Sequence, residues 1–298
     1  MTWTNYHSHS SYCDGTATVD RLVEQAVSEG LHAFGISSHG PLPLPVSWAM
    51  QENRLPDYIA DFVKLRNKWQ NEIELYLGLE VDFVPGHSWW DQIGPLYRDL
   101  DYVIGSVHLV DTFDDGRPWE IDGTREEFEM GLQQIFRGDV RAAVSRYFEL
   151  TRWMLMLENP DILGHLDKIK VQNAQGGYFS ETDSWYRQEI DKTLRVAANM
   201  GVMVEVNTRG LYTGQSLDLY PSQWILERIL DLGIPIVLNS DAHDPKEITA
   251  GFRFAGKILR KIGFQKLNVL SEGRWQEVRF SKNGLELPWQ HGQKNRTA

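Results

Sequence analysis

The chain has 298 residues, 42% of them hydrophobic, and a formal net charge of −11. That length suits one barrel-sized α/β domain, and the apolar content supports a large core and excludes a disordered chain. The acidic balance leaves no basic stripe to meet phosphates, so no nucleic-acid partner is expected, and the lone cysteine, Cys13, rules out an intrachain disulfide.

No apolar run approaches the length of a membrane span, and the start of the chain lacks the basic and apolar regions of a signal peptide. The expectation is a soluble, cytoplasmic protein with no membrane partner. His7 and His9 follow a short N-terminal strand. Thr18 to Glu29 reads as a helix: Thr18 can cap it, Val19, Leu22, Val23, Ala26 and Val27 form one apolar stripe, and Gly30 stops it. Ala33 to Ser37 is a short buried strand ending near His39. Leu55 to Asn71 is a helix with Pro56 in its first turn. Ile73 to Val81 is a strand reaching Glu80, and Tyr102 to Val107 is one reaching His108.

Val110 to Gly123 is polar, rich in Asp and Gly, and reads as a loop that carries Trp119. Thr124 to Asn159 gives two helices broken at Gly138-Asp139, so the adhesion-like triplet Arg137-Gly138-Asp139 is read as a turn. Ile162 to His165 resumes the strand pattern. Asp183 to Met200 is a helix closed by Gly201, Val202 to Val206 a strand, and Pro221 to Leu232 a helix closed by Gly233. Ile234 to Leu238 delivers Asp241 and His243, Thr249 to Ile262 is a helix, and Gln276 to Phe280 is a last strand. These roughly seven β/α units predict one barrel domain over residues 1–287, with 110–160 as an excursion over the site and 288–298 as a loose polar tail. The sequon Asn295-Arg296-Thr297 is read as chance.

Six of the nine histidines (His7, His9, His39, His108, His165 and His243) lie at strand ends, which scattered surface histidines would not do. In a barrel the C-terminal ends of the strands carry the active site. Side chains at i and i+2 of a strand share a face, so His7 and His9 can grip one ion, and Asp241 and His243 also point together. His32, His87 and His291 lack this placement and are read as ordinary. Glu80 closes an apolar run, where a carboxylate is costly unless paired or metal-bound. Imidazole and carboxylate ligands suit Zn, Mn or Fe. Cys13 is read as a small, semi-buried residue, not a ligand.

Six fragments in order carry a family resemblance. His7-Ser8-His9 with Cys13-Asp14-Gly15, Ser37-Ser38-His39, Gly78-Leu79-Glu80-Val81-Asp82, Gly105-Ser106-Val107-His108, Gly164-His165-Leu166-Asp167 and Ser240-Asp241-Ala242-His243 resemble the motifs of the polymerase and histidinol phosphatase (PHP) superfamily. They cover roughly residues 5 to 245. Within it, Gly105 to His108, the run Trp119 to Phe128, and Glu205 to Leu211 are most similar to the histidinol-phosphate phosphatase branch. The resemblance implies a distorted seven-stranded (β/α)7 barrel with three divalent metal ions. His7, His9, Glu80 and Asp241 would hold the first, Glu80 with His108 and His165 the second, and Asp14, His39 and His243 the third. Some family members carry a His in place of Asp14.

Clustered divalent ions suit phosphate-ester hydrolysis: they activate a water, orient the ester and neutralise the phosphoryl oxygens. The expected reaction is in-line attack by hydroxide held between the first two ions, with L-histidinol phosphate, an intermediate of histidine biosynthesis, as the leading substrate. Asp241 is a ligand first and a proton-transfer group second. Arg209, just past a strand end, is the first choice for the phosphate; Lys168 and Lys170 come next, then Arg117. Trp119 and Tyr212 either wall the pocket or pack the core. Glu120, Asp122 and Asp114 are candidate acceptors for the substrate's amine and imidazole. Competing readings are a nucleotide or other small phosphomonoester as substrate, a non-catalytic metal-binding module, and an amidohydrolase or deaminase, which the use of Glu80 rather than a lysine as bridge disfavours.

Overall fold

The computed structural model describes residues 2–173 and 177–287, without the side chains of Trp90 and Pro95. The polar tail from Pro288, with His291 and the sequon, lies outside them. Seven parallel strands run in sequence order: β1 (Thr4–Asn5), β2 (Ala33–Ile36), β3 (Glu74–Asp82), β4 (Tyr102–Ser106), β7 (Ile162–Leu163), β8 (Met203–Asn207) and β9 (Ile236–Asn239). They are buried almost throughout, as parallel strands covered on both faces must be. The sheet closes on itself just beyond β1 and β9. There His9 N donates to Ala242 O (2.8 Å), Ala242 N donates to His7 O (3.2 Å), and Ser8 bridges Ala242 in parallel register. The result is the expected distorted (β/α)7 barrel.

The covering helices follow local signals. Thr18 accepts from Arg21 N at the start of helix Val19–Ser28, and Val19, Leu22, Val23 and Ala26 are buried. Thr124 and Glu127 form a reciprocal capping box on helix Arg125–Phe136. That helix ends with Arg137 in the left-handed region (φ 53°), and Asp139 caps the next one, Val140–Leu157. Arg137-Gly138-Asp139 is therefore the interhelical turn that was expected. Trp119 is also core, only 1% exposed and packed on Phe128 and Phe136.

Two expectations are corrected. The stretch from Val110 is not a plain loop: β5 (Leu109–Thr112) and β6 (Pro118–Glu120) pair as an antiparallel hairpin. The strand expected at Gln276–Phe280 is not part of the barrel. It lies within β11 (Arg274–Ser281), which pairs antiparallel with β10 (Lys266–Ser271), a strand absent from the predicted set, and with β12 (Gly284–Leu285).

This second sheet plugs the N-terminal mouth of the barrel. Leu270, with Trp275 against it, packs into a cluster with Tyr6, Tyr76, Tyr102 and the first residues of the strands. Tyr6 OH donates to Leu270 O (2.8 Å) and accepts from Leu270 N (2.9 Å). The Tyr102 side chain fills the space over Gly35 and Gly78, where a Cβ would come within 2.3 Å of its hydroxyl oxygen and of Cζ respectively, so both positions require glycine. With one mouth filled by aromatic rings, the opposite mouth is left for chemistry.

Candidate metal centre

Every candidate ligand except Asp14 lies in or just after a strand at the open mouth. His7 and His9 follow β1, His39 follows β2, Glu80 sits in β3, His108 follows β4, His165 follows β7, and Asp241 and His243 follow β9. Asp14 arrives on a loop folded back onto the first strand. The fold-back is tight: a Cβ on Gly15 would lie 2.3 Å from the His9 carbonyl oxygen.

Glu80 is the hub. Its Oε2 lies 3.1 Å from His7 Nε2, 3.1 Å from His39 Nδ1 and 3.4 Å from His9 Nε2. Its Oε1 lies 2.9 Å from His165 Nε2 and 4.0 Å from His108 Nε2. Asp241 Oδ1 is 3.1 Å from His9 Nε2 and 3.7 Å from His7 Nε2. Asp14 Oδ2 is 3.2 Å from His243 Nε2. Such spacings are those of atoms that share an ion about 2.0–2.2 Å from each.

The ligand atoms fall into four overlapping groups: His7, His9 and Asp241; His9, Asp14, His39 and His243; His7, Glu80 and His165; and His39, Glu80 and His108. The first holds three of the four residues expected for the first ion, without Glu80, and the second holds the trio expected for the third ion with His9 beside it. The trio expected for the second ion is divided, since His165 groups with His7 and His108 with His39.

The donor set fits divalent cations. His7 Nε2, His9 Nε2 and His39 Nδ1 face Glu80, are buried and make no hydrogen bond. One such orphan costs roughly 1–3 kcal/mol, so three together are a standing demand for a cation. Protonation also favours ligation. Burial, with the neighbouring imidazoles of His243 and His39, keeps the His9 pKa well below its ordinary value, and burial lowers that of His39 and His165. Burial opposes charge on Glu80 and Asp241 too, yet the surrounding imidazoles, joined by Arg209 at Asp241, hold both well below the carboxylate range. Metal binding requires neutral imidazoles among ionised carboxylates, and His9, His39 and His165 supply such imidazoles. At His7 and His108 burial opposes charge, but the neighbouring carboxylates, Glu205 and Asp82 first, outweigh it and raise the pKa, so an ion has to displace a proton there.

The four candidate phosphate cations separate cleanly. Arg209 is three-quarters covered at the mouth, with Nη1 3.0 Å from Asp241 O and 3.3 Å from Tyr212 OH. Lys168 Nζ lies 3.0 Å from His108 Nε2 and 2.9 Å from Asp122 Oδ2, inside the cluster. Lys170 does not join them. Its Nζ is buried against Asp167 (2.7 Å), Leu219 O (2.9 Å) and Ser222, so its three protons serve the fold. Arg117 is exposed on the β5–β6 hairpin, paired with Asp115 and stacked on Phe113. Asp114 is exposed on the same hairpin turn, whereas Glu120 is half-buried. Tyr212 OH reaches Ser240 O (3.1 Å) and Asp241 O (3.2 Å), bracing the last ligand fragment.

Residues 5–209 match the PHP domain. The chain belongs to the PHP domain family. This PHP chain is 29% identical over 263 residues to a Deinococcus radiodurans protein named "Probable histidinol-phosphatase", covering 86% of this chain and 92% of that one. It is 23% identical over 260 residues to the histidinol-phosphatase of Bacillus subtilis, covering 81% and 94%. It shares its fold with the histidinol phosphate phosphatase of Lactococcus lactis subsp. lactis, solved with zinc, L-histidinol and phosphate. That match has a TM-score of 0.68 at 22% identity and covers 92% of this chain and 99% of that one.

Three residues of the PHP site stand outside the sequence-derived set. Glu205, in β8, lies 2.6 Å from His7 Nδ1. Asp82 Oδ1 lies 2.8 Å from His108 Nδ1 and accepts from His108 N at 2.9 Å. Trp48 faces His39, with ring centroids 4.6 Å apart, and His108 at 5.5 Å. The two acids carried a usable signal, a carboxylate inside an apolar strand, the same cost that marks Glu80. Trp48 carried none, because its loop has no period.

Proposed function

We propose that this chain is a divalent-metal phosphomonoesterase that hydrolyses L-histidinol phosphate to L-histidinol and phosphate. The observation that carries the reading is Glu80, whose two oxygens span five imidazoles at the open mouth of a PHP barrel. The names of its relatives support the substrate. We assign three ions to His7, His9, Asp14, His39, Glu80, His108, His165, Asp241 and His243, with residues 2–287 as one working domain. Divalent ions bound there supply a nucleophile at neutral pH and neutralise charge on the phosphoryl oxygens.

The chain's own groups do the rest. Arg209 and Lys168 flank the cluster and present two fixed positive charges to the phosphate. Burial opposes charge on Lys168, but Asp122, Asp241 and Glu80 outweigh it and keep the ammonium protonated. Asp122, paired with Lys168 at 2.9 Å, and the half-buried Glu120 are carboxylates able to accept from a cationic leaving group. The Trp48 ring closes the His39–His108 side and excludes water there.

The test is a phosphate-release screen over small phosphomonoesters, including nucleotides, with metal analysis of the same sample. Histidinol phosphate should be the preferred substrate. A preparation that carries metal, ignores histidinol phosphate and turns over another monoester would refute the substrate. In the same screen His9→Ala should lose metal and turnover together, and retained turnover would refute the site.

A further inference from the structure

Glu205 has no place in the proposed ligand set, yet it is fully buried at the same mouth. An ionised carboxylate inside an apolar strand is tolerable only if its oxygens are saturated with hydrogen bonds. They are. Oε1 lies 2.6 Å from His7 Nδ1 and accepts from Asn239 Nδ2 at 2.9 Å. Oε2 accepts from His165 N at 2.8 Å and from Asn207 Nδ2 at 3.0 Å. A carboxylate has about four lone-pair sites, so none is left for an ion.

The donors around Glu205 dictate a proton position. Glu205 can only accept, so the short contact requires the His7 proton on Nδ1. In the neutral ring that binds a metal, the lone pair then falls on Nε2, the orphaned atom that faces Glu80 and Asp241. The other oxygen grips the backbone at His165, on a different strand, so one carboxylate ties together two ligands that share Glu80.

We propose that Glu205 is a positioning residue that holds His7 as the Nδ1–H tautomer and sets the spacing between His7 and His165 around Glu80. The proposal rests on the metal-site reading. Asp82 supports it, because it accepts from both Nδ1 and the amide of His108. Acids that fix a ligating imidazole in this way govern metal affinity over roughly 10–100-fold.

The test compares wild type and Glu205→Gln in zinc titrations against a competing chelator. The glutamine keeps the shape, and its amide group can turn its N–H toward Nδ1, which then loses its proton to Nε2. The expected result is zinc binding weakened roughly 10–100-fold, with turnover lost at limiting zinc and restored by excess. Wild-type zinc affinity in Glu205→Gln would overturn the positioning role. Failure of the wild type itself to bind zinc would overturn the metal reading beneath it. A second measurement does not need the variant to fold. In nitrogen-15 spectra of the zinc-loaded wild type, His7 should carry its proton on Nδ1, and a proton on Nε2 would overturn the proposal.

Discussion

Arg209 donates to the carbonyl oxygen of Asp241, the one ligand candidate whose backbone lies in the left-handed region (φ 56°). Aspartate tolerates that region better than most residues, and the turn swings its carboxylate back toward His9 while the guanidinium faces the mouth. Arg209→Ala should therefore lower kcat/KM about 10–100-fold, mostly through KM, since a charged hydrogen bond contributes roughly 1.5–3 kcal/mol. Steady-state kinetics at saturating metal decide it, and unchanged constants would return Arg209 to the surface. Lys170 shows why charge alone misleads: a single residue separates it from Lys168, yet one lies against the cluster and the other props Ser222 and Leu219. At this scale the proposed ligands at strand ends were legible because strand period and spacing announce them, whereas Asp14, on a loop, came only from the family resemblance. The difference between the two lysines was not, because it depends on which partner each meets across the barrel.

Among the elements, the strand and helix order could be read from local period and capping, but the sheet to which the last strands belong could not. β11 alternates like any half-covered strand, and nothing local says whether its partner is β9 or β10. The structure answers through long-range contacts, and Glu74 at the start of β3 is the clearest of them. It accepts from Ser271 Oγ (2.9 Å), Glu272 N (2.8 Å) and Tyr76 OH, fastening the β10–β11 turn beneath the barrel. Partial burial opposes its charge, but these bonds and nearby His32 outweigh it, so its pKa lies below the ordinary value. The stabilisation is fully present above the unfolded pKa of about 4.3 and is lost as pH falls through the folded one. Glu74→Gln should cost about 1 kcal/mol at pH 7, reduced by the water that still reaches the carboxylate. The gap from wild type should close as the pH approaches 3. Urea unfolding at both pH values checks this, and a gap that widens on acidification would refute it.

For the molecule as a whole, ions that bind only the folded barrel add to its stability by mass action. Free metal at a hundred times its Kd contributes about 2.7 kcal/mol. Chelation should abolish turnover and lower the Tm by several degrees, and adding metal back should raise it in proportion to the logarithm of its concentration. A Tm indifferent to chelator would speak against the proposed ions. No helix among the described residues is long and apolar enough to cross a membrane. The seam that closes the barrel has a consequence in time. His7 to His9 emerge first during synthesis, but their backbone partner Ala242 and the carboxylate of Asp241 lie more than two hundred residues downstream. On the proposed assignment Glu80, His108 and His165 are made earlier, whereas the first and third sites lack Asp241 and His243 until nearly the whole barrel has been synthesised. Loading of those two sites would therefore report that the seam between the first and last strands has formed.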